Sequence, residues 1–239
     1  MEAVPDGPAI EIRQLSKSFN HRPALRGIDL EVQKGEAVVI FGPNGAGKTT
    51  LLKILATVMK PTTGDVTIDG FDLRQNPDGI RRRIGVVSHH SFLYGSLTAR
   101  ENLEFYARLQ DTPDPTQRAE EVAAMVNMKA RLDDRVGTFS RGMQQRIAIA
   151  RALLHKPSVL LMDEPETGLD QHTIAMLWSL MAEGEYTIVL TTHSLERGLE
   201  LADRVVILNR GRIVFEAPGS ELNLAGCKQS YLELTGDRP

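Results

Sequence analysis

The run GPNGAGKT, Gly42 to Thr49, ends in a lysine and a hydroxyl residue after three glycines, and fits the pattern G-x-x-x-x-G-K-[ST]. Glycines let a backbone wrap closely around an anion, and successive amide N–H groups then converge on it. Gly42, Pro43, Asn44, Gly45, Ala46 and Gly47, continuing into Lys48, Thr49 and Thr50, are therefore a candidate cradle for a nucleoside triphosphate. Lys48 would reach the β- and γ-phosphates and Thr49 would ligate Mg²⁺. Far downstream, SVLLMDEP ends an apolar run in two carboxylates. Asp163 could hold the Mg²⁺ shell, and Glu164 could polarise an attacking water as general base, although acidic residues after a strand also serve as helix caps. The stretch between Lys48 and Asp163 has room for a whole subdomain, which excludes a small GTPase or a kinase.

VSHHSF, residues 87 to 92, places two histidines side by side in a chain with only six. Adjacent residues on an extended segment point to opposite sides, so His89 and His90 do not converge on one ion. A zinc site would need further ligands, and no second His/Cys cluster offers them.

These residues need strands and helices to hold them. EAVVIFG is a continuous apolar run, as in a fully buried strand, and leads directly into the glycine-rich loop. LLKILATVM follows with helical spacing and stops before Pro61. IEIRQL, IDLEVQ and GDVTIDG alternate apolar with polar residues, as half-buried strands do. From about residue 91 to 157 the pattern is helical. Thr98 and Glu101 form a capping box ahead of NLEFYARL, DTPDPT is a polar loop, and AEEVAAMVNM and SRGMQQRIAIARALLH have helical periodicity. Strand signals return in PSVLLMDEP, YTIVLTTH and the hairpin-like VVILNRGRIVF. Trp178 and Met181 lie in a helix, as core packing. Arg81 to Arg83 form a solvated charge run. The first nine residues are a loose tail.

Composition fits a globular α/β protein, with 41% hydrophobic and 25% charged residues in 239. A net charge of −3 gives no reason to expect nucleic acid as a partner. The single cysteine, Cys227, excludes an intramolecular disulfide and suits a structural thiol. There is no basic, apolar leader, and no run approaches the ~20 apolar residues that span a bilayer. A soluble, cytosolic chain is expected.

From about residue 10 to 217 the ordered motifs resemble the ATP-binding-cassette ATPases, the motor subunits of ABC transporters. SRGMQQR is similar to the family signature, and places Ser140, Arg141, Gly142 and Met143 in its positions. ETGLD matches the D-loop through Asp170, TTH matches the switch histidine through His193, and Phe19 in LSKSFN lies where an aromatic residue stacks on adenine, or else is core. The resemblance implies a P-loop NTPase core with a mostly parallel sheet, an N-terminal antiparallel β subdomain and an inserted helical subdomain. All of 1–239 is then one nucleotide-binding domain: about 10–90 and 158–217 form the β subdomain and core, about 91–157 the helical subdomain, and 218–239 a short C-terminal tail. It also implies ATP and Mg²⁺ as ligands, with Glu164 orienting water and His193 contacting the γ-phosphate. A second such ATPase, the same chain or a close relative, would pair head to tail and offer Ser140 and the following N–H groups in trans. A multi-span permease would hold the chain on the cytoplasmic face of the membrane.

Two departures from the family pattern matter. Arg141 and Met143 replace a glycine and a glutamine in the signature, with Ser140 and Gly142 retained. The glutamine that follows a core strand in the family is absent, and either His89 or His90 falls on its position. His90 replaces it, on this reading, as a polar link to nucleotide water or Mg²⁺, and its protonation near pH 6 would oppose the ion. SHHSFLYGSLTARENLEFYARL and FSRGMQQRIAIARALLH look most like exporters, including the haem exporter of cytochrome c maturation. The alternative is the ATPase class of iron–sulfur cluster assembly, which is not a transporter.

Overall fold

The computed structural model describes residues 7–88, 90–166 and 169–236. Its chain begins with β1 (Ile10–Phe19) and β2 (Arg22–Val32), a long antiparallel hairpin. β3 (Ala37–Phe41), buried at every residue, runs into the glycine-rich loop and α1 (Lys48–Leu55). β4 (Thr63–Ile68), β5 (Phe71–Asp72), α2 (Pro77–Arg81) and β6 (Ile84–Ser88) follow. Three helices come next: α3 (Ala99–Leu109), α4 (Pro115–Met125) and α5 (Arg141–Ala152). β7 (Val159–Asp163), α6 (Gln171–Glu183), β8 (Thr187–Thr191) and α7 (Leu195–Leu201) return to the core. The chain closes with β9 (Arg204–Asn209), β10 (Arg212–Pro218) and α8 (Leu224–Thr235).

One sheet is four-stranded and antiparallel, in the order β2-β1-β4-β5; the other has the order β10-β9-β3-β8-β7-β6, parallel except for β10. This is the α/β cassette architecture expected of the motifs. Alternate residues of each central strand serve different cores, as the period of two requires. Val38, Ile40, Leu161, Val189 and Val206 pack toward α1 and the antiparallel sheet. Val39, Phe41, Leu160, Met162, Leu190 and Ile207 share a core with the helices between β6 and β7. Both faces are covered, which is why these strands read as unbroken apolar runs. Among the described residues no helix is long and apolar enough to cross a membrane.

The capping box holds as expected: Thr98 Oγ1 accepts from Glu101 N, and Glu101 accepts from Thr98 N at 2.7 Å. Met181 is buried and Trp178 packs against the same core. Other expectations change. α1 ends at Leu55 rather than near Pro61, because Thr57 turns into the left-handed region at φ 60° and exposes Val58. Of the expected loose tail, residues 1–6 lie outside the described set, but Ala9 is buried and accepts from Asp69 N at 2.8 Å. Within the C-terminal stretch, Leu224–Thr235 form α8, which seats Cys227 and Tyr231 in the core one turn apart. The Arg81–Arg83 run is not uniformly solvated: Arg83 stacks on Phe71 at 3.8 Å and faces the buried Asp69 at 4.0 Å.

Candidate functional site

The glycine-rich loop sits at the carboxyl end of β3, the central strand. A Cβ on Gly42 would lie 2.2 Å from Leu208 O, and one on Gly47, at φ 112°, 2.7 Å from Ala24 O. Backbone packs against backbone here, and only glycine fits. Lys48 is buried and folds back to donate from Nζ to Gly42 O at 2.5 Å and Pro43 O at 3.4 Å. Burial pulls its ammonium below the usual lysine range, and the Glu164 and Asp163 charges oppose that shift. Residues 43–50 wall a pocket of about 300 Å³ with Ala24 and Glu164. A larger cleft of about 560 Å³ lies beside the α3–α4 loop. Its wall mixes Arg82, Arg118 and Lys156 with Asp111, Asp114 and Glu121, so it lacks the one-signed, amide-lined surface that a triphosphate needs.

Parallel pairing brings the acidic motif to the same end of the sheet. Asp163 closes β7 opposite Ser88 of β6 and Thr191 of β8. Thr191 Oγ1 donates to Asp163 Oδ1 at 2.8 Å, and Thr49 Oγ1 approaches the same oxygen at 3.2 Å. Glu164 takes φ 49°, a sharp elbow fixed by its N–H donating to Thr191 O at 3.0 Å. That elbow turns its carboxylate toward the pocket and toward His193, whose Nε2 lies 2.6 Å from Glu164 Oε1. Such a pair can orient a water and hold its proton. Glu166, which opens ETGLD but was given no role by it, accepts from Thr192 Oγ1, while its second oxygen is buried without a partner among the described residues. Burial pushes its carboxyl above the usual range.

The remaining candidates lie around α5. Ser140 caps this helix, its Oγ accepting from Met143 N at 3.3 Å, so free N–H groups point out of the turn that contains Arg141 and Gly142. Asp170 caps α6 by accepting from Thr173 N at 2.9 Å, and Arg146 of α5 donates to Thr173 Oγ1. These bonds, with the Thr173 hydroxyl and the nearby Arg146, hold the Asp170 carboxyl below its usual range. His89 lies outside the described residues. His90 is exposed and lines a cleft of about 370 Å³ with Ser91, Arg141, Gln144 and Gln145, away from the loop pocket. Phe19 is 44% exposed at the end of β1, under Lys17, so it is not core. Gln145 lies within SRGMQQR, but no role of its own could be read for it there; its two backbone partners distinguish it.

Comparison with known proteins gives the same picture over most of the chain. Residues 25–167 match the family described as ABC transporter. The ABC transporter ATP-binding protein NatA of Bacillus subtilis (strain 168) is 37% identical over 80% of this chain and 80% of its own. Nod factor export ATP-binding protein I of Burkholderia pseudomallei (strain 1710b) is 34% identical, over 96% of this chain and 77% of its own. Among solved structures, a dimeric ATP-binding cassette in a post-hydrolysis state, bound to ADP and Pi, superposes with a TM-score of 0.78. That cassette is 30% identical, and the match covers 87% of this chain and 98% of the other.

Proposed function

We propose, from the premise that this chain belongs to the ABC transporter family and is one of its ATP-hydrolysing subunits, that it drives export of a small organic molecule through a separate multi-span membrane subunit. The observation that carries the site assignment is that Lys48, Thr49 and Glu164 wall one glycine-rich pocket, with Asp163 bonded to Thr49 and His193 to Glu164 at its border. ATP places its phosphates against the amides of residues 43–49, and Lys48 leaves the loop carbonyls to meet them. Thr49 and Asp163 present hard oxygen atoms on one side of the pocket, a donor set that suits Mg²⁺, which when bound neutralises phosphate charge. Glu164 orients the attacking water and takes its proton, and His193 holds that carboxylate and meets the γ-phosphate. Ser140 to Met143 serve the nucleotide of a second chain, the same or closely related, and Asp170 stands at that junction. Phe19 is exposed where it can stack on adenine.

Export is the direction that the Nod factor export relative and the exporter-like segments around SHHSFLYG favour. Haem export for cytochrome c maturation is the narrower form of this reading, supported by the segment resemblance alone. Residues 91–157 form the helical subdomain that faces the membrane subunit. In their support, Phe92, Tyr94, Phe105 and Leu109 are all exposed, and the rings of Tyr94 and Phe105 meet edge to face at 5.6 Å. The chain then sits on the cytoplasmic face of the membrane through its partner.

Purification of the full chain from detergent-solubilised membranes tests the proposal. Co-purification of a multi-span protein that stimulates ATP turnover supports it. Recovery with only a soluble scaffold would overturn transport in favour of iron–sulfur cluster assembly.

A further inference from the structure

Gln145 lies on the second turn of α5, 5% exposed, and touches no wall of the loop pocket. Its amide Nε2 donates to Ser88 O at 3.3 Å and to Pro165 O at 3.2 Å. Ser88 ends β6 and stands opposite Asp163 in register, while Pro165 follows the Glu164 elbow. One side chain from the helix that opens with SRGM therefore holds both flanks of the Asp163-Glu164 pair. Packing alone does not call for an amide at this point. Ile147, Ile149 and Ala150 already bury α5 against the core, and an apolar residue of similar length would fill the same space.

We infer that Gln145 is a positioning residue that ties the signature helix to the turn carrying Glu164, so that a shift of α5 on engaging a second chain's nucleotide moves Glu164. The inference rests on the proposed reading of Ser140–Met143 as the trans face and of Glu164 as the water-orienting carboxylate. Rotation of α5 against the sheet must stretch one or both of these bonds, and they are anchored beside the reacting carboxylate rather than at the nucleotide pocket. Loss of the amide donors therefore affects turnover and leaves ATP binding in place.

The test uses the full chain with Gln145→Met and Gln145→Glu. For Gln145→Met, kcat for ATP hydrolysis falls about tenfold or more, as loss of two modest hydrogen bonds predicts, while KM stays within about threefold. For Gln145→Glu, the carboxylate cannot donate at pH 8 but regains one O–H donor as it protonates. Its kcat, divided by that of the wild type, therefore rises as pH falls toward 6. His90 and Arg141 share the adjoining cleft and are present in both proteins, so the ratio compares the two against the same surroundings. An unchanged kcat, equal losses in kcat and binding, or a flat ratio would each overturn the inference. If Gln145→Met does not fold, the pH ratio alone decides. A wild type without ATP turnover, or a Glu164→Gln variant that keeps it, would instead sink the site reading itself, and the inference with it.

Discussion

His193 Nε2 and Glu164 Oε1 lie 2.6 Å apart although their motifs come from different strands, because β7 and β8 pair in parallel with Asp163 opposite Thr191. The two strands therefore deliver their following residues to the same edge of the pocket. Each group constrains the other: the imidazole fixes the carboxylate's direction, and the carboxylate fixes the ring.

If the pair acts as a unit, its losses do not add. Glu164→Gln is expected to lower ATP turnover by about 10²–10³-fold, the usual scale of a lost general base, with ATP binding retained. His193→Ala also lowers turnover, and the double variant is no slower than the worse single one. Steady-state turnover beside equilibrium ATP binding checks this; multiplicative losses in the double variant would argue for separate roles.

His155 offers a test of pH-dependent stability away from the site. Its Nε2 bonds Ile84 O at 3.0 Å, while Nδ1 is buried without a partner. Burial lowers its pKa below the ordinary value of 6.5, with Arg118 a smaller contributor in the same direction. Below pH ~6.5 the unfolded chain binds a proton here that the folded chain refuses, so stability falls with pH until the folded pKa is reached. Above that window this residue adds no pH dependence. His155→Gln keeps a donor for Ile84 O and removes the titration, so its Tm should fall less than that of the wild type between pH 7 and 5.5. Parallel Tm curves would refute the assignment.

What the sequence could show depended on how local each determinant was. The glycine-rich turn after β3 and the Asp163-Glu164 end of β7 were legible as local structure because steric need and charge are written in contiguous residues, and the buried strands because both their faces are covered. The hairpin of β1 and β2 was half legible. Its register shifts near Gln14, whose N–H donates to Asp29 Oδ1 at 2.8 Å, break the alternation that a strand reading relies on. α2 rests on a single cap, Asn76 accepting from Gly79 N, too short a signal for periodicity. Gln145, Glu166 and Arg83 were not legible, since their partners are far away in the chain.

Arg83 and Arg82 make that last point measurable. Both stand in one charge run, yet Arg82 is mostly exposed and pairs with exposed Asp111, whereas Arg83 covers Phe71 and faces the buried Asp69. Arg82→Ala should change stability by less than about 0.5 kcal/mol. Arg83→Ala should cost about 1–2 kcal/mol, from the lost ring contact and a buried Asp69 carboxylate that keeps the Ser158 hydroxyl but loses its cation. Denaturant midpoints of the two variants check this, and equal midpoints would return Arg83 to the solvated class.

Gly142 lies where an intrachain and an interchain role meet. A Cβ there would come within 3.2 Å of Asp170 Oδ2 and 3.5 Å of Thr173 Oγ1, tight contacts that the cap of α6 can yield to by a small shift. Gly142→Ala adds a methyl without charge to both contacts, and should lose less ATP turnover than a charged substitution at the same position. Gly142→Asp adds a carboxylate beside Asp170 and on the face proposed to meet a second chain's phosphates, where like charge opposes closure. Its turnover should fall by more than about tenfold, while ATP binding to residues 42–50 of the same chain persists. Mixing it with an excess of a Lys48→Ala chain then restores turnover at composite sites. Each such site pairs the unsubstituted signature of the Lys48→Ala chain with the intact phosphate loop of the Gly142→Asp chain. Failure of that mixture to recover activity, with both chains folded, would count against pairing in trans.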